Sequence, residues 1–261
     1  MLTIVSIALM VAGLIGIVVC QKKQKTNPNA QSIAFIFLIV ILAGAGVMIY
    51  DTFTGEDRQI AQMQANELAY SKSWCKVLSD YAGKNFAGKS AVIITEPKVE
   101  GTQKTIIEAL TADLKAAGIS SVDVEALNIP ANGDEAPMME SVEAKHYNEI
   151  FDKKKDAAVF VITTNLPQDG KQLALVKCFK PGFDAKKQCI LMANQEVNMF
   201  QKAIEKGIIR AAVVTNPKYQ PTEEIKKAPS DPQAAFNERY ILVTTENVKE
   251  IADQNKDIFA K

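Results

Sequence analysis

Apolar positions along this chain fall into three regimes. Leu2–Cys20 and Ile33–Tyr50 are apolar runs with no charged side chain inside them. From Thr54 to Tyr81 apolar residues recur at helical spacing within a charged background. From Ser90 onward, short β-branched runs alternate with amphipathic stretches that end in Gly or Pro.

An apolar run of about eighteen residues rises roughly 27 Å as a helix, close to the ~30 Å hydrocarbon core of a bilayer. Leu2–Cys20 lacks a basic leader, exceeds the usual apolar core of a signal peptide, and has Val18 and Val19 before Cys20 where a lipidation signal wants small residues. Two spanning helices are therefore expected in place of a signal peptide or lipid anchor. Lys22, Lys23 and Lys25 lie between the runs, ahead of Asn27-Pro28-Asn29, whereas the outer flanks are poor in base. The positive-inside rule then puts the connecting loop in the cytoplasm, with both termini and the C-terminal domain outside the cell (inner) membrane. Small residues at Ala8, Ala12 and Gly16, and at Ala43–Gly46, either let the helices approach closely or simply face lipid.

Thr54-Gly55-Glu56-Asp57 reads as a helix start, with Thr54 capping and Asp57 in the capping-box position. The helix it opens carries Ile60, Met63, Tyr70, Trp74, Val77 and Tyr81 on an a/d-like seam that Glu67 interrupts. Residues 56–81 are then either a stalk that self-associates or a helix packed on its own domain, and the short seam favours packing.

Beyond Gly88 the pattern predicts strands at Ala91–Thr95, Val122–Leu127, Ala157–Thr163, Gln188–Met192, Ile208–Thr215 and Tyr240–Thr244. Helices are expected at Thr105–Ala117, Met138–Phe151, Asp169–Phe179, Gln195–Lys206 and Glu246–Asp253, with a Pro-rich surface excursion over Pro217–Pro232. Buried strands alternating with helices imply a parallel sheet covered on both faces. The expected class is α/β: an N-terminal two-helix transmembrane hairpin (1–53), a helical stalk and connector (54–88), and a doubly wound, mostly parallel, Rossmann- or flavodoxin-like domain (89–261). Over roughly Ser90–Phe259 the alternation resembles type I periplasmic binding proteins and flavodoxin-like domains at the level of fold. No family motif accompanies it, so no functional residue is implied. AVIITEPK (91–98) and AAVVTNPK (211–218) echo each other. Too little chain follows the second copy for a further lobe, which points to like strand-and-turn chemistry within one sheet.

Composition narrows the functions. Thirty basic and thirty acidic residues cancel, and no basic stripe interleaves with aromatics, so nucleic acid is not an expected partner. One His and four scattered Cys match no zinc spacing and are too few for a disulfide scaffold. No metal or other cofactor is expected. Gly83-Lys-Asn-Phe-Ala-Gly88-Lys89-Ser90 matches the phosphate-loop spelling, yet a helix precedes it and a strand follows, the reverse of what a phosphate cradle needs. A cytoplasmic nucleotide-binding protein is the outcome if orientation and strand assignments both fail. His146, between Glu143 and Glu149, has no nucleophile context and reads as a surface or partly packed residue.

Ligands of parallel sheets bind beyond the carboxyl ends of the strands, where the strand order reverses. Here those ends carry Thr95-Glu96, Thr163-Thr164-Asn165, Asn194-Gln195-Glu196, Thr215-Asn216 and Thr244-Thr245-Glu246-Asn247. Glu96, Thr164, Asn165, Asn194 and Asn216 are the candidate ligand-binding residues, for an uncharged or cationic small molecule, though such residues are also ordinary helix caps. No catalytic residue stands out. Either a small polar solute or an envelope protein suits such a binding or scaffold module. The alternative is an envelope hydrolase or transferase, which requires Glu96, Glu196 and Glu246 to converge. Cys178 and Cys189 become a possible disulfide if residues 173–179 form a hairpin strand instead of a helix.

Overall fold

The computed structural model describes residues 2–24, 29–129, 142–193, 197–220 and 226–259. The chain divides into two compact units, Met1–Ala65 and Asn66–Lys261.

The first unit contains helix α1 (Leu2–Lys23) and the beginning of α2 (Ala30–Phe86). Val5–Lys23 and Ala30–Tyr50 are each long and apolar enough to cross a membrane. Of the small residues expected to let the helices approach, Gly16 and Gly44 lie in their contact. Ser6, Gly13 and Cys20 are buried at seven-residue intervals, while Ala8, Ala12 and Ala43 are exposed. A methyl group on Gly13 would stand 2.7 Å from Ile41, and one on Gly16 would stand 2.6 Å from the Phe37 ring. The seam is therefore knobs of one helix filling glycine holes of the other. On their outer faces large side chains such as Phe35, Leu42 and Ile15 are exposed.

Helix α2 runs without a break from Ala30 to Phe86. The start expected at Thr54 is thus no helix terminus: the helical pattern on both sides overrides a local capping signal. Within the second unit α2 buries Tyr70, Trp74, Cys75, Leu78 and Ala82, one stripe at helical spacing. Glu67 pairs with Arg239 at 2.6 Å, and the Arg239 guanidinium lies over the Tyr70 and Tyr219 rings. The Asn66 side chain donates to the Lys226 carbonyl and accepts from the Ala228 amide. Tyr70 and Trp74 are consumed inside their own domain, as the packed-helix reading expects; Ile60 and Met63 alone of that seam are large exposed apolar residues.

The sheet contains β1 (Ser90–Thr95), β2 (Ser121–Ala126), β3 (Val159–Ile162), β4 (Cys189–Met192), β5 (Ile209–Thr215) and β6 (Tyr240–Thr244). Their order is β2-β1-β3-β4-β5-β6. The first five are parallel, and β6 pairs antiparallel with β5. The echoing segments 91–98 and 211–218 thus belong to one sheet.

Alternation along the strands separates two cores. Ala91, Ile93, Val159, Val161, Leu191 and Val213 face α2, α3 (Gly101–Ala116) and α7 (Pro232–Arg239). Val92, Ile94, Phe160, Ile162 and Met192 face α4 (Ala144–Lys153), α6 (Gln201–Glu205) and α8 (Val248–Gln254). Helices on both faces of a mostly parallel sheet make this a doubly wound α/β fold. Edge strand β2 departs from the buried pattern. Its Asp123 and Glu125 are paired by Lys154 and Lys153 of α4 at 2.6 and 2.7 Å, and charge on an edge discourages further pairing.

Two expected helices are shorter than the sequence pattern suggests. Residues 169–179 form α5 (Gly170–Leu175), capped by Asp169, and a 3-10 turn at Lys177–Phe179; of the described part of the other, 197–206, α6 takes Gln201–Glu205, while positions 138–141 and 195–196 of the expected helices lie outside the described residues. A short final helix, α9 (Lys256–Phe259), follows α8. Helix α7 was not expected at all. Asp231 caps it, accepting from Ala234, and Pro232 opens it, so the end of the Pro-rich excursion is a helix start.

The disulfide considered from the sequence is also corrected. Cys178 and Cys189 are free and buried, Cys178 in the core on one face of the sheet and Cys189 in the core on the other. A sheet stands between the two thiols. Burial pushes the Cys189 thiol up to about 12 and the Cys178 thiol higher still.

Candidate functional site

The chain passes from β1 through α3 to β2 on one side and returns from β2 through α4 to β3 on the other side of β1, so the order reverses between β1 and β3. A crevice opens there, at the carboxyl ends of β1, β3 and β4. Its volume is about 200 Å³, below the ~300–1,000 Å³ of sites for drug-sized ligands.

Register decides which strand-end residues meet in it. Ala91 pairs with Val159 and Ile94 with Ile162, and one further step sets Thr95 beside Thr163. Both fall on the face of Ala91, Ile93, Val159 and Val161, against α2 and α3. Ala193, one residue past β4, falls there too. The walls are Ser71 and Trp74 of α2, and Gln103, Ile106 and Ile107 of α3. Trp74 is 5% exposed and is the chain's single tryptophan.

The hydrogen bonds of the crevice are directional. The Thr95 hydroxyl donates to the Glu96 carbonyl at 3.1 Å, and the Thr163 hydroxyl donates to the Ile94 carbonyl at 2.9 Å. The Gln103 Nε2 donates to the Glu96 carboxylate at 3.2 Å. Glu96 is half-buried and forms no ion pair among the described residues. Nearby Lys98 pairs with Glu100 at 3.2 Å.

Of the five candidate residues, the crevice includes Glu96. Thr164 is buried next to Thr163, but the alternation carries it to the opposite face, beside Tyr147. Burial raises the Tyr147 phenol, whose hydroxyl donates to the Asn165 carbonyl at 2.8 Å. The Asn165 side chain is exposed. The Asn216 Oδ1 accepts from the Lys218 amide, closing the turn after β5. Asn194 and Glu196 lie outside the described residues. Thr95, Thr163, Trp74 and Gln103 were not singled out. Strand parity pointed to the two threonines, since 91, 93 and 95 must share a face, whereas Trp74 in a helical stripe looks like any core residue.

A second cavity, of about 480 Å³, opens at the other end of the sheet around Gly88, Lys89, Asp156 and Lys186. It contains the end of the phosphate-loop spelling. Gly88 there adopts a left-handed φ of 75°, and its amide donates to the Gly118 carbonyl. The Lys89 amide donates to the Phe86 carbonyl and the Ala158 amide to the Ser90 carbonyl. The order is helix, turn, strand, and these backbone donors are already committed, so no amide cradle meets an anion.

His146 is 3% exposed, more fully packed than the surface or partly packed residue expected. It occupies the first turn of α4, where its Nδ1 accepts from the Glu143 amide at 3.1 Å in a capping box. Burial holds its pKa below the ordinary imidazole value, with Lys145 adding to the effect.

In fold the chain is similar to a periplasmic ribose ABC transporter protein from Conexibacter woesei DSM 14684 (12% identity, TM-score 0.46, covering 73% of this chain and 63% of that one). It is similar also to a galactofuranose binding protein (11%, 0.46, 72% and 63%) and to a sugar-binding protein of a sugar ABC transporter from Bacillus halodurans (14%, 0.43, 69% and 64%). The chain spans less than two thirds of the length of each of the three. No family model and no curated protein matches its sequence.

Proposed function

We propose that this chain is a membrane-tethered α/β module that binds a small polar solute in the crevice between β1 and β3. The observation that carries the proposal is positional. The cavity lies at the reversal of strand order, where parallel sheets place their ligands, and gathers a carboxylate, hydroxyls and one aromatic wall. Glu96 is the recognition residue retained from the strand-end rim, with Thr95 and Thr163 in place of Thr164.

The tether rests on the outer faces of the first two helices. A core helix of a water-soluble protein would be mostly buried, whereas only 11% and 6% of these two spans are buried. Exposed apolar surface on that scale needs lipid or an apolar partner. With the lysine-bearing loop in the cytoplasm, the α/β unit is extracytoplasmic.

The test is a thermal-shift screen of polar metabolites on the full chain in neutral detergent. A ligand at a hundred times its Kd stabilises the folded state by ~2.7 kcal/mol. Hits that lose their shift in Glu96→Ala support the site. Hits indifferent to Glu96→Ala, or no hits at all, remove it.

A further inference from the structure

The polar groups of the crevice are unequal in kind. A threonine hydroxyl offers one proton and two lone pairs. The Thr95 proton is spent on the Glu96 carbonyl and the Thr163 proton on the Ile94 carbonyl. What these two hydroxyls retain toward the cavity is acceptor capacity. The Glu96 carboxylate oxygens are acceptors. Gln103 turns its amide nitrogen toward Glu96, which leaves its Oε1 as a further acceptor.

Charge points the same way. Among the described residues Glu96 is the one charged side chain lining the cavity, and no lysine or arginine lines it. The neighbouring cation, Lys98, is engaged by Glu100. A carboxylate lining a cavity gains from a cationic partner through charge-assisted hydrogen bonds. The lining also includes Trp74 and the aliphatic Val99, Ile106 and Ile107. An indole is the strongest side-chain partner for a cation over its face.

We infer that the crevice selects a small protonated amine with an apolar body. This rests on the solute-binding reading of the same crevice and names the ligand class. An ammonium group has donors only, matching the Glu96 carboxylate and the acceptor lone pairs of Thr95, Thr163 and Gln103. A neutral polyol would gain no charge pairing with Glu96, and a carboxylate or phosphate would meet Glu96 with like charge.

The single tryptophan makes the test direct, because excitation of Trp74 reports on the cavity wall alone. The full chain in neutral detergent is titrated at neutral pH with three probes sharing one body, phenethylammonium, 2-phenylethanol and phenylacetate, and separately with ribose. Phenethylammonium is expected to change Trp74 emission saturably, at least tenfold more tightly than 2-phenylethanol, with no response to phenylacetate. Glu96→Gln keeps the shape of the side chain and should weaken the amine at least tenfold. Gln103→Glu adds a second carboxylate and should tighten it, which keeps the test open should Glu96→Gln misfold. If ribose, the alcohol or phenylacetate binds as well as the amine, or if Glu96→Gln leaves amine affinity unchanged, the amine class is overturned while the crevice remains a solute site. If no probe alters Trp74 emission, both fall together.

Discussion

Glu246 stands at the opposite end of the sheet from Glu96. Strand β6 runs antiparallel to β5, so Thr244 at its end pairs with Ala211 near the start of β5, while Tyr240 pairs with Thr215. The two carboxylates therefore do not converge, and an enzyme built on strand-end carboxylates loses that pair. Glu246 is occupied locally: hydrogen bonding with Thr244, then with Thr245, holds its carboxyl below the usual range. Glu246→Gln is expected to leave amine titrations of Trp74 within twofold of the unsubstituted chain. A tenfold loss would place Glu246 in the site and contradict the topology.

Gly83 sits in α2 where a methyl group would stand 2.2 Å from the Ala117 carbonyl oxygen at the end of α3. Helix propensity favours Ala over Gly by about 0.5–1 kcal/mol. Against it, a backbone carbonyl cannot move aside as a side-chain tip can, and overpacking of this kind costs about 1–3 kcal/mol. The clash wins, so Gly83→Ala should lower the thermal midpoint. Gly170→Ala, with nothing within 4 Å of its Cβ, should leave it unchanged or raise it slightly. Equal behaviour of the two would refute the close approach of α2 and α3.

His146 gives stability a pH dependence of known sign. Its folded-state pKa is depressed below the ordinary 6.5 because burial disfavours the imidazolium. Its contribution is complete above that value and is lost as pH falls through it, since the unfolded chain takes up a proton that the folded chain resists. Protonation of Nδ1 would also end its bond from the Glu143 amide. The depressed carboxyls of Asp123, Glu125 and Glu143 act the same way but lower, below their ordinary 3.8 to 4.5. His146→Gln keeps an acceptor at the capping-box position. Between pH 7.5 and 5.5 the unsubstituted chain should lose more thermal stability than His146→Gln. Parallel curves would rule out the imidazole as the source.

The sheet was legible because its buried strands are apolar on both faces, and Val159–Ile162 and Cys189–Met192 can hardly be read otherwise. The reversal between β1 and β3 was likewise among the expected positions for a crevice. The antiparallel β6 was not legible. It depends on α7, and proline at 232 reads as loop until Asp231 is recognised as its cap. Nor could a chain-local pattern show that Thr163 and not Thr164 joins Thr95, because register is a relation between strands. Trp74 illustrates the same limit. Its helical spacing announces burial, and only the assembled fold shows that one side of the ring borders a cavity.

The proposed orientation rests on Lys22, Lys23 and Lys25. Protease added to spheroplasts should degrade the α/β unit without lysis. Survival of that unit until the membrane is broken would place it in the cytoplasm.

The most direct measurement for the crevice is hydrogen–deuterium exchange on the full chain with and without saturating phenethylammonium, or a solute returned by the thermal screen. Ligand-dependent protection is predicted in 95–103, around 163, and in α2 about Ser71 and Trp74. Protection confined to 86–90 and 185–189, at the cavity on the other end of the sheet, or none anywhere, would contradict it.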